Sequence, residues 1–169
     1  PGGGYELFVT TDNGISWNSL DIPNQIISLA ADPLDPNRVY AGTKSGLYVS
    51  NDQGKQWDPV ISDIERGVIT GIGFSSDGKT MYAFSTLDGN GMIVKSKDGG
   101  NTMVKTQGQI IDARGIWNFA PGRDGEIYAI AAQQVASGIA MSVYSTHDEG
   151  NSWVLEGTNN SELALTNES

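Results

Sequence analysis

Four aspartates recur along this chain in the same local company. Asp12, Asp52, Asp98 and Asp148 each sit in a segment of the form Ser/Thr-x-Asp-x-Gly, usually followed by x-Ser/Thr-Trp. The segments run from Thr10 to Trp17, Ser50 to Trp57, Ser96 to Met103 and Thr146 to Trp153. Paired carboxylates do acid–base work or hold metals, but a single Asp with a Gly two positions on has a plainer use. Its oxygens accept hydrogen bonds from backbone N–H groups just ahead, while Gly14, Gly54, Gly100 or Gly150 supplies a positive φ. The flanking hydroxyls bond into the same loop. Trp17, Trp57 and Trp153 are apolar anchors that can bury against a neighbouring repeat and still find a partner for the indole N–H. Gln56 replaces the small hydroxyl residue in the second segment and Met103 replaces Trp in the third, so those two turns are expected to be the less secure.

A second set of polar residues lies between these segments. Ile61 to Gly67 carries Asp63, Glu65 and Arg66, and Gln109 to Trp117 carries Asp112, Arg114 and Trp117. Each stretch brings an acid and an Arg-Gly pair to the entrance of a strand. A guanidinium is a planar fork of donors suited to anionic or hydroxylated groups, and Trp117, the one Trp outside the four segments, offers a flat face for a sugar ring. These six residues are the candidate ligand-binding set; no catalytic residue is assigned. The competing reading has each Arg pairing locally with Asp63, Glu65 or Asp112, and Trp117 filling space between repeats. It is the preferred one, because aromatic residues at strand starts are more often core than platform.

The elements that must position these groups follow from the spacing. The four aspartates are 40, 46 and 50 residues apart, a period typical of solenoids, propellers and arrays. Between them lie short apolar or alternating runs bounded by turn residues: Ile26 to Ala31, Arg38 to Gly42, Gly46 to Ser50, then Val68 to Ser75, Lys79 to Ser85, Met92 to Ser96, then Gly115 to Ala120, Glu126 to Ala132 and Ala140 to Ser145. Asp77-Gly78 and Asp124-Gly125 are turns, and Leu87 to Gly91 and Gln133 to Ser137 read as longer loops beside the candidate residues. With one more strand after each Asp segment, every unit holds four antiparallel strands, the make-up of a β-propeller blade. The expected fold is all-β, with about three and a half blades: a half blade over 1–22, blades near 23–60, 61–106 and 107–157, and a polar tail over 158–169.

The four segments resemble the Asp-box, or BNR, repeats of β-propellers in sialidases, xyloglucanase-type glycoside hydrolases and sortilin-type receptor ectodomains, with similar repeats in a photosystem II assembly factor. The resemblance covers residues from about Tyr5 to Gly157. It implies a propeller whose Asp turns share one face, leaving Asp63, Glu65, Arg66, Asp112, Arg114 and Trp117 on or near the other. For sialidase-like members it also implies an arginine triad, a Tyr nucleophile assisted by Glu, an acid Asp and an Arg-Ile-Pro motif. This chain has no Arg-Ile-Pro, and its four arginines are Arg38, Arg66, Arg114 and Arg123. Asn37-Arg38-Val39-Tyr40 is better read as the start of a strand, so a complete sialidase site is not expected here.

Composition narrows the function classes. Ten Lys and Arg stand against twenty Asp and Glu, a net charge of -10, with the cations dispersed. That argues against nucleic acid or anionic lipid as partner. No run approaches a membrane span, the absence of cysteine excludes a disulfide framework, and Asp32 to Asn37 reads as an Asp-Pro turn rather than a calcium loop. No cofactor or metal is expected. The expected role is an extracytoplasmic, secreted-type recognition or scaffold module for glycan or protein. The alternative is part of a glycoside hydrolase whose remaining catalytic residues lie on other blades. A propeller closes with about four to eight blades, so partners include further blades or a second copy of the chain, although the sequence itself displays no complementary ends.

Overall fold

The computed structural model describes residues 6–22, 25–60, 67–87, 90–110, 113–136 and 138–159, and among these it is all strand and turn. In chain order the strands are β1 (Leu7–Val9), β2 (Asn18–Leu20), β3 (Ile26–Ala31), β4 (Val39–Thr43), β5 (Gly46–Ser50), β6 (Asp58–Pro59) and β7 (Val68–Phe74). They continue with β8 (Met81–Leu87), β9 (Asn90–Ser96), β10 (Val104–Lys105), β11 (Ala113–Pro121), β12 (Ile127–Val135), β13 (Gly138–Thr146) and β14 (Val154–Asn159). They form a two-stranded sheet, β1-β2, and three four-stranded antiparallel meanders, β3 to β6, β7 to β10 and β11 to β14. Each meander is a blade, numbered here one to three.

The strands at Ile26 and Gly46 match the alternation in the sequence, but the later hairpins are longer than expected. Leu87 pairs with Asn90 and Val135 with Gly138. Paired strand residues therefore enter both expected loops, Leu87, Asn90 and Gly91 in the first and Gln133 to Val135 in the second. Strand pairing satisfies backbone groups that an open loop would leave to water.

Blades pack face to face, and the inner strands carry the contact: β7 lies against β3 and β4 on one side and β11 on the other. Two apolar cores result. Between blades one and two lie Tyr40, Leu47, Val60, Ile72, Met81, Val94 and Met103; between blades two and three lie Tyr82, Phe84, Ile93, Ile116, Phe119, Ile127 and Ala129, with Tyr144 and Trp153 against them. Polar links reinforce both joints. The Tyr40 hydroxyl donates to the Gly99 carbonyl at 2.9 Å, and Lys95 and Lys97 both reach the Glu149 carboxylate, at 3.2 and 2.6 Å.

The anchor residues behave less uniformly than the motif implies. Met103, where Trp was expected, is buried in the first core, since its unbranched thioether fills an irregular gap. Trp57 is half-buried and its Nε1 donates to the Gly54 carbonyl at 3.0 Å, whereas Trp153 packs on Phe119 with its Nε1 buried and unpartnered. Trp17 departs from the expected burial: it is 59% exposed, because no blade precedes it among the described residues to cover that side.

Candidate functional site

The four aspartate turns share one closed set of hydrogen bonds. In each, the opening hydroxyl donates to the Asp carboxylate and accepts from the backbone N–H of the Gly: Thr10, Ser50, Ser96 and Thr146 do so at 2.7–2.8 Å to Asp12, Asp52, Asp98 and Asp148. The backbone N–H four residues past the Asp, at Ser16, Gln56, Thr102 or Ser152, donates to its Oδ1 at 2.9 Å. Ser16, Thr102 and Ser152 add a hydroxyl bond of 2.6 Å to Oδ2, which Gln56 does not supply to Asp52. Gly14, Gly54, Gly100 and Gly150 all have positive φ, as does the residue before each of them: Asn13, Gln53, Gly99 and Glu149.

Those donors hold the carboxyls low. The Ser16 hydroxyl, aided by the Ser16 N–H and Thr10, brings Asp12 from 3.8 to about 2, and the Ser152 hydroxyl with the Ser152 N–H and Thr146 does the same for Asp148. Asp98 is lowered by Thr102, and Asp52 by the Gln56 N–H first of all. A carboxylate so saturated with donors is a turn lock and a poor general acid. A depressed folded-state value contributes stability that is fully present above the unfolded value and disappears as pH falls through the folded one. Thermal midpoints followed by circular dichroism are therefore expected to be flat down to about pH 5 and to fall between about pH 4 and 2. A transition complete above pH 5 would remove the turns as its cause.

The second arrangement lies on the inner strands, and pairing reveals it. Val39, Met81 and Ile127 stand opposite the opening hydroxyl residues Ser50, Ser96 and Thr146. Three residues further along, Gly42, Phe84 and Ile130 pair with Ser28, Gly71 and Asn118 on the inner strands, and in each case the register slips just before that pair. The residues left over are Ile27, Thr70 and Trp117. They occupy one equivalent bulge in all three blades, a device that re-aims a side chain and is common beside functional sites. Strand β11 has a second slip, between Ala113 and Gly115, which leaves Arg114 as its extra residue.

Two candidate residues are thus brought onto one strand, three positions apart and both exposed: Arg114 and Trp117, the latter 67% exposed. Trp117 stands on blade three, the last among the described residues, so its exposure does not bear on the preferred reading of it as filler toward a following blade. Ile116 and Phe119 take the buried places, and the bulge turns the indole out. The Thr70 hydroxyl donates to the Ile116 carbonyl at 2.9 Å, tying the bulge of blade two to that of blade three. Asp63, Glu65, Arg66 and Asp112 lie outside the described residues. Arg38 is committed elsewhere: it faces Asp32 and Asp35 at 3.5 and 3.6 Å and donates to Asn51. Asp32 and Asp35 also accept from the Leu34 and Asn37 N–H groups, as an Asp-Pro turn should.

The sequence reasoning missed Ile27 and Thr70. A signal was available: Ile69 with Ile72, and Ile116 with Phe119, are buried pairs three apart within a strand, and only a slipped register lets both face one core.

Comparison with known proteins places this geometry among β-propellers. No family model matches the chain. The vacuolar protein sorting/targeting protein 10 of Paracoccidioides lutzii is 31% identical over 64 residues, which is 36% of this chain and 4% of that protein. An ancestral GH74 enzyme superposes with a TM-score of 0.57 at 16% identity, over 88% of this chain and 28% of the enzyme. YCF48 from Cyanidioschyzon merolae gives 0.54 at 16%, over 80% and 38%, and a chain of a nidogen/laminin complex gives 0.60 at 20%, over 85% and 53%. The fold is a β-propeller. At these identities the likeness speaks to the fold alone, and the chain spans well under two thirds of each protein it matches.

Proposed function

We propose that this chain is a sector of an Asp-box β-propeller that serves as an extracytoplasmic recognition or scaffold module, binding a glycan or protein ligand on the inner strands through Trp117 and Arg114. The observation that carries the reading is Trp117 itself, a large aromatic group aimed away from an apolar core that its neighbours Ile116 and Phe119 fill. An exposed indole gives broad contact area at little entropic cost, and the Arg114 guanidinium, three residues before it on the same strand, supplies directional donors. Asp63, Glu65, Arg66 and Asp112 belong to the same proposed surface.

The hydrolase alternative needs two carboxyl groups about 5 Å apart or wider across a scissile bond. The inner strands, IISLAA, VITGIGF and ARGIWNFAP, hold no Asp or Glu. Recognition is therefore the better supported reading of this chain. It is tested by titrating xyloglucan oligosaccharides and sialyllactose while following tryptophan fluorescence, with a peptide library in parallel. A ligand found this way is expected to lose at least about tenfold in affinity to Trp117→Ala, about 1.4 kcal/mol, and less to Arg114→Ala, with melting temperatures unchanged. Undiminished binding by Trp117→Ala overturns the assignment.

A further inference from the structure

We draw no further inference here: the strongest candidate, the cleft between blades one and two beside the third aspartate turn, lined by Leu34, Arg38, Phe74, Lys79 and Lys97, has each of its cations already paired with a carboxylate of the fold, and nothing in the structure shows what fills it.

Discussion

Phe119→Ala is expected to lower unfolding free energy by about 3–5 kcal/mol, the range for emptying a buried phenylalanine site. Phe119 is 3% exposed and touches two other rings, Tyr82 at 6.0 Å and Trp153 at 6.3 Å between centroids. Those partners belong to different blades, so truncation removes transfer free energy and also uncouples blade two from blade three. The rings around it are held by β8 and by the fourth aspartate turn, and collapse into the gap is restricted. The internal control is Leu29→Ala. Leu29 holds the same register position in blade one but is 45% exposed, and its loss is expected to cost under about 1 kcal/mol. Urea unfolding followed by far-ultraviolet circular dichroism separates the two, since a change in midpoint at constant slope reports stability. Equal costs would mean that the blade two to three joint contributes no more than an exposed strand face.

The opposite error, adding volume, is expected to be nearly as damaging at Gly73. A Cβ placed there would stand 2.5 Å from the Phe119 carbonyl oxygen and 2.6 Å from the Phe119 Cβ, and one at Gly71 would stand 2.5 Å from the Ile116 carbonyl oxygen. These neighbours are backbone, or fixed to it, and cannot swing aside. The Gly-Ile-Gly run of β7 is what lets two inner strands approach, a recognised use of glycine within a strand. Gly73→Val is expected to cost about 3 kcal/mol, the upper end for overpacking, and to shift the urea midpoint accordingly. Ala120→Val places the same side chain at the same register position on blade three, where nothing is packed against it among the described residues, and should leave the midpoint within experimental error. A Gly73→Val chain as stable as its parent would show that β11 can retreat.

What the sequence made legible was whatever repeats. The period of the aspartates, the strand runs and the job of each carboxylate could all be read from residue types, because a turn closed by Asp and Gly is a local structure with local partners. Burial was less readable. Met103 in the core and Trp17 in solvent reverse expectations drawn from side-chain size, since burial at those positions depends on whether a neighbouring blade is present. The side that Trp117 takes was hard to read for another reason. Along Ile116-Trp117-Asn118-Phe119 a regular strand would place Trp117 and Phe119 on one side. The bulge slips the register by one residue, which the three-residue spacing of Ile116 and Phe119 hints at and the pairing partner fixes. The polar candidates at 63, 65, 66 and 112 owe their selection to chemistry and sequence neighbourhood alone.

The row of bulges carries an implication for how such a molecule changes over time. The second residue of the second strand is a tyrosine in all three blades, Tyr40, Tyr82 and Tyr128, while the bulge position reads Ile27, Thr70 and Trp117. The framework is held by residues that look inward between blades; of the bulged side chains, Ile27 and Trp117 are exposed, while the Thr70 hydroxyl bonds the Ile116 carbonyl across a joint. A substitution there is filtered for what it meets in solution more than for what it does to folding. The inner strands thus offer a row of interchangeable sockets on a fixed chassis, and new selectivity is reachable one socket at a time.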